Sequence, residues 1–157
     1  MRQFLVGTVV ACSIFCTNFA KAEASRPCPD SFQDLADIFT QDLPDYLNRT
    51  YIRLGIDRHV LVAGIPETNS FPISSVNSSL TSPSQIFVSI LSGKIGKPKN
   101  DSQPYWIFIS KTSSGWRFVM AFTKIGSSVP VDVSDGAIAN AAIILLKDIC
   151  NYPQIMN

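Results

Sequence analysis

The stretch Tyr105 to Thr123, YWIFISKTSSGWRFVMAFT, sets two aromatic-rich apolar runs on either side of a short polar turn ending in glycine. Such a pair of runs predicts a β-hairpin. An isolated hairpin is at best marginally stable, so the flanking chain must supply further strands and a helical cover. Ser113-Ser114-Gly115 suits a three-residue loop with Gly115 at positive φ, where a Cβ would clash. That loop pairs Thr112 with Trp116, Ser110 with Phe118, Phe108 with Met120 and Trp106 with Phe122. One face then carries Trp106, Phe108, Trp116, Phe118, Met120 and Phe122. The other carries Tyr105, Ile107, Ile109, Lys111, Arg117, Val119, Ala121 and Thr123. A four-residue loop shifts the register by one and exchanges these sets. The aromatic face reads as core packing rather than as a ligand cage.

The chain has 157 residues, enough for one domain with a sizeable core. Apolar residues make up 46% and charged residues 16%, which excludes a disordered chain and gives no footing to nucleic-acid binding. Met1-Arg2-Gln3 is a short basic start, Phe4 to Ala20 is mostly apolar, and Ala20-Lys21-Ala22 and Ala22-Glu23-Ala24 are candidate cleavage sites. Residues 1–22 therefore read as a secretory signal peptide, and residues 23–157 as a single domain. Cys12, Ser13, Cys16, Thr17 and Asn18 make the apolar run poor as a retained span. Val9-Val10-Ala11-Cys12 has the look of a lipobox, a route to lipid anchoring that ranks below simple cleavage. Loss of residues 1–22 removes Arg2 and Lys21 and leaves a net charge of −1. No basic stripe remains for a phosphate backbone.

Cleavage also removes Cys12 and Cys16, leaving Cys28 and Cys150 near the two ends of the mature chain. In an exported protein such a pair reads as a disulfide tying the first helix to the last. Asp30 or Ser31 caps that first helix, and Phe32, Leu35, Ile38 and Phe39 make its apolar face. Pro44 interrupts, so Asp42 is read as the cap of a second segment or as a kink. The second segment carries Leu43, Tyr46, Leu47, Tyr51 and Leu54 and stops at Gly55. Arg58 to Ile65 reads as a strand ended by Pro66. Residues 66–84, rich in Ser and Pro, read as a long loop with Phe71, Ile73, Val76 and Leu80 as pins. Gln85 to Leu91 is a second strand, and residues 93–103 are a connector. After the hairpin, residues 125–130 form a turn. Ser134 or Asp135 caps a last helix with Ile138, Ala141, Ala142, Leu145 and Ile149 on one face. The expected fold is α+β: a four-stranded antiparallel meander with N-terminal helices and a C-terminal helix on one face. The Trp106-to-Trp116 face is the expected partner of the helices, leaving the face with Tyr105, Lys111 and Arg117 for a ligand.

Chemistry-bearing motifs are few. His59 is the only histidine. It could pair with a serine of the 66–84 loop as a hydrolase, but no G-x-S-x-G elbow supports this. One histidine and two bridged cysteines offer no metal set and no cofactor motif. Asp132 and Asp135 flank a helix start, and Asp42 and Asp45 flank Pro44, so capping explains them. The segment Gly93 to Lys97 lacks the spacing of a phosphate loop. Asn48, Asn77 and Asn100 begin glycosylation sequons that matter only in a eukaryotic secretory pathway. Arg117, inside an apolar hairpin, is read as a strand-end arginine reaching solvent, with anion binding as the functional alternative.

Cys28-Pro29, Gln41 to Tyr46 followed by Asn48-Arg49, Leu61-Val62-Ala63-Gly64, Thr112 to Arg117 and Gly126-Ser127-Ser128 together resemble a family of small exported cyanobacterial proteins. The resemblance covers most of the mature chain. It implies a periplasmic, extracellular or lumenal location and brings no catalytic residue or ligand with it. The sequence thus points to a small exported, non-enzymatic binding or accessory domain. Its partner is a protein or small molecule rather than nucleic acid, and it has no transmembrane helix once the leader is removed.

Overall fold

Ser31 caps the first helix: its side chain accepts a hydrogen bond from the Asp34 amide at 3.1 Å. From there the computed structural model describes residues 27–69, 83–98 and 101–150. Residues 1–22, read as a signal peptide, with Cys12 among them, and the greater part of the expected 66–84 loop lie outside the described residues. The elements are α1 (Phe32–Arg53), β1 (His59–Glu67), β2 (Ser84–Gly93), β3 (Asp101–Thr112), β4 (Gly115–Thr123), β5 (Val131–Asp132) and α2 (Ala137–Cys150). The strands form one antiparallel sheet in the order β1-β2-β3-β4-β5.

The α+β class and the meander stand, with corrections. The sheet has five strands among the described residues, because Val131 and Asp132 pair with Thr123 and Phe122. The expected pair of N-terminal helices is one helix running through Pro44. Proline deletes one helical hydrogen bond, but Phe39, Leu43 and Leu47 on either side are fully buried, and that packing holds the helix together. Gly55, at φ +68, follows the helix end where the sequence placed the stop. β1 does not end at Pro66. Ala63 pairs with Ser89 and Glu67 with Phe87, so residues 64–66 bulge between them. Residues 101–103, read as connector, open β3. Ser134 is not a helix cap: its hydroxyl accepts from the Ala121 amide at 3.0 Å and so ties the chain before α2 to β4.

The largest correction concerns the faces of the hairpin. Thr112 pairs with Gly115 and Lys111 with Trp116, so the loop has two residues rather than three. A register shift between Phe108 and Ile109 then makes Val119 the extra residue of β4. Phe108–Met120 and Trp106–Phe122 pair as expected, but Trp116 and Phe118 are turned to the opposite face. The helices cover the Ile86, Val88, Ile90, Tyr105, Ile107, Ile109, Trp116 and Ala121 face, not the Trp106 face. The physical reason is shape. The apolar stripes of Leu35, Phe39, Leu43 and Leu47 and of Ala141, Ala142 and Leu145 pack on a face made mostly of branched residues, with Tyr105 and Trp116 among them. Away from the helices, Phe87 meets Trp106 at a tilt of 53° with ring centres 5.2 Å apart, and Phe108 meets Phe122 edge-on at 5.9 Å.

The chain ends close the structure. The sulfurs of Cys28 and Cys150 lie at disulfide distance, 2.09 Å, across 122 residues of sequence. Trp116 Nε1 donates to the Pro29 carbonyl at 2.7 Å and its ring meets Phe32 at 5.9 Å, so the hairpin tip holds the same strap. No helix among the described residues is long and apolar enough to cross a membrane.

Candidate functional site: a groove along the free sheet edge

The three residues proposed for a ligand fall in three places. Tyr105 is buried under the helices. Burial, and then the nearby Tyr51 phenol, push its hydroxyl up to about 12, partly offset by Arg58. Lys111 lies six positions further along β3, roughly 20 Å away at strand rise. Its ammonium donates to the Asp30 carbonyl and sits over the Trp116 ring at 5.3 Å. Arg117 projects from the opposite face of the sheet, where its guanidinium donates to Ser114 Oγ at 3.1 Å. Tyr105 and Lys111 are thus engaged in packing and in fastening the N-terminal strap, and no common site forms.

A different feature gathers chain groups with free capacity. Among the described residues β1 is an edge strand, and α1 runs antiparallel to it, with Asn48 beside Val60 and Gln33 beside Thr68. Asn48 on α1 reaches the edge: its Oδ1 accepts from the Val60 amide at 2.7 Å and its Nδ2 donates to the Val60 carbonyl at 3.1 Å. One carboxamide therefore does for Val60 what a neighbouring strand would do. Those bonds occupy Asn48 at both ends of its amide and give this sequon a structural task. Both outward groups of Val60 being so engaged, the antiparallel alternation turns the Val62 N–H and C=O outward as well. Among the described residues nothing takes them up.

Between α1 and this edge lies a groove of about 460 Å³ lined by Asp37, Thr40, Gln41 and Pro44 and by Leu61, Val62, Gly64, Ile65 and Pro66 of β1. It is closed at one end by Asn48 on Val60 and at the other by Thr68 Oγ1 donating to Gln33 Oε1 at 3.4 Å. The sequence explains the opening. Gly64 sits at φ +77, a region that disfavours a side chain, and nothing lies within 4 Å of where its Cβ would be. The bulge it starts leaves Ile65 93% exposed beside Leu61 at 45%. Pro44 has no amide hydrogen, so the Thr40 carbonyl lacks its usual donor four residues on. The groove thus offers apolar walls, one strand-edge donor and acceptor, a helix carbonyl without its usual i+4 donor and the Asp37 carboxylate at its rim.

A second hollow of about 330 Å³ lies on the outside of the helix pair, lined by Tyr46, Arg49, Ile52, Arg53 and Ile144. Its arginines are committed: Arg49 stacks on the Tyr46 ring at 4.1 Å and Arg53 donates to Thr50 Oγ1 at 3.3 Å. Tyr46 in turn donates to Asp148 at 2.7 Å.

His59 flanks the Asn48 clamp. Its Nε2 lies 3.4 Å from Asn48 Nδ2, whose orientation is fixed by the Val60 amide. A carboxamide nitrogen only donates, so Nε2 stands on the acceptor side of this contact. Nδ1 is buried without a hydrogen-bond partner among the described residues. No serine, cysteine or carboxylate among the described residues bonds the ring, and the loop serines 70–82 lie outside them. No group of three or more metal-ligating side chains occurs among the described residues. Sequence reasoning missed Asn48, Val62 and Gly64 as site residues. The signal available was an isolated glycine inside a β-branched run followed by proline, which marks a bulge. No protein-family model, curated protein or solved structure matches this chain.

Proposed function

We propose that the protein is a small exported, disulfide-tied binding domain rather than an enzyme, and that its ligand lies in the groove between α1 and β1. The observation that carries this is a concave, partly apolar surface, pinned at both ends, that includes Val62 backbone groups without a partner among the described residues. Export is supported by the Cys28–Cys150 pair at disulfide distance, by the leader-like residues 1–22 and by the resemblance to exported cyanobacterial proteins. Amide chemical shifts of the mature chain, titrated with oligosaccharides, lipid vesicles and peptides, test the reading. Changes are expected at residues 37–44 and 61–66. Turnover of esterase, phosphatase or glycosidase substrates that a single substitution abolishes contradicts it.

Two rivals have their own tests. A hydrolase using His59 and a loop serine has against it the ring's contact with Asn48 and its buried Nδ1. Loss of any such activity in His59→Ala is its requirement. A lipid anchor through Cys12 requires that residue at the mature N-terminus. Mass spectrometry giving Glu23 or Ser25 there removes it.

A further inference from the structure

We infer that the ligand is an extended polypeptide segment, which adds to β1 as a sixth strand and carries a basic side chain toward Asp37. This rests on the binding-domain reading and names the class of partner at the same groove.

The chain itself supplies half of a ladder. Asn48 satisfies Val60 and stops there, so among the described residues the edge is guarded at its start and unpaired at Val62. An incoming strand finds the Val62 N–H and C=O at the spacing a β-ladder uses. It finds the Thr40 carbonyl along its outer side, because Pro44 withholds the helical donor. Gly64 leaves room for a second backbone to approach closely. Gln33 and Asn48, which mark the ends of the groove, are fifteen residues apart on α1, about 22 Å at helical rise. That length accommodates about six extended residues.

A second copy of this chain does not fit the same edge. The two-fold that pairs two β1 strands antiparallel stands perpendicular to the sheet and puts both α1 helices on one face. Strands pair about 4.8 Å apart, while packed helices need about 8–10 Å between axes. Because α1 lies along β1, close enough for Asn48 to cap its outer edge, the two helices would collide before the strands met. A single strand passes beneath α1 without that conflict.

Charge selects the partner further. Asp34, Asp37, Asp42 and Asp45 lie along α1, with no lysine or arginine on the helix before Arg49. Asp37 lines the groove itself. Alternate apolar side chains of the incoming strand meet Val62, Pro66 and Pro44, and a lysine or arginine meets Asp37.

The test uses the mature, oxidised protein and a short N-acetylated peptide of alternating valine and threonine with one lysine. Two controls are the same peptide with glutamate for lysine and one N-methylated along a single edge. Saturable shifts are expected at the Val62 amide and along residues 37–44. The glutamate peptide is expected to bind at least about tenfold more weakly, and the N-methylated peptide not at all. Val62→Pro, which removes an outward N–H at an edge position, abolishes binding, with circular dichroism and Tm checking that the fold is retained. Asp37→Lys reverses the order of the lysine and glutamate peptides. Equal binding of these two peptides, shifts elsewhere, or no saturable binding overturns strand addition. If a saccharide or lipid shifts the groove residues while every peptide fails, the binding-domain reading survives and this inference does not.

Discussion

Asn48 shows how much one side chain can decide at the residue scale. Its carboxamide answers both outward groups of Val60, whose own side chain is fully buried. Asn48→Ala leaves a buried N–H and C=O without partners, each costing about 1–3 kcal/mol. Urea unfolding is expected to show a loss of about 2 kcal/mol or more, with Asn48→Asp losing less because it keeps the acceptor. Tyr105 makes a prediction in pH. Its folded pKa, about 12, lies above the ordinary value of 10.0, so the buried phenol resists ionising while the unfolded one does not. The contribution of Tyr105 is therefore intact below pH 10 and is lost as pH rises through the window between 10.0 and about 12. Tyr105→Phe is expected to flatten the fall of the unfolding midpoint in that window. An unchanged slope counts against the assignment.

Among the elements, α1 and β1 matter most because the groove is their joint product. Pro44 lies inside α1, and the packing of Phe39, Leu43 and Leu47 carries the helix across it. Pro44→Ala restores a donor for the Thr40 carbonyl and is expected to stabilise the protein by about 1 kcal/mol while weakening peptide binding. Thermal unfolding and titration of the same variant check both halves. Most elements were legible in the sequence: the Ser31 cap, the Gly55 stop, the strand runs and the apolar stripe of α2 all rest on local pattern. What local pattern did not give was the pairing geometry. The two-residue loop sets Trp116 and Phe118 on the helix side, the extra residue Val119 returns Met120 and Phe122 to the other, and no residue type nearby announces the bulge. With the faces exchanged, Tyr105 and Lys111 moved from the expected open face to the packed one. The groove was illegible for a related reason. It exists only where α1 approaches β1, and Asn48, Asp37 and Val62 share a site through tertiary contact rather than spacing.

At the scale of the whole molecule, the strap from Cys28 to Asp30 joins the start of α1 to the end of α2 and to the hairpin tip. A link across 122 residues removes much of the freedom of the unfolded chain. The Cys28→Ser, Cys150→Ser double variant is expected to lose up to about 4–5 kcal/mol by loop-closure entropy. Chemical unfolding of that variant against the oxidised protein reads the loss, and a difference under about 1 kcal/mol contradicts a closing role for the bond. The same closure holds α1 against the sheet and so keeps the groove in place above the free edge. The account as a whole stands on that edge being open in the isolated protein. Amide hydrogen exchange of the oxidised protein tests it directly. The Val60 amide, capped by Asn48, is expected to exchange at least about a hundredfold more slowly than the Val62 amide two residues on. Equal protection of Val60 and Val62 would mean that the edge is already taken, and would contradict the account.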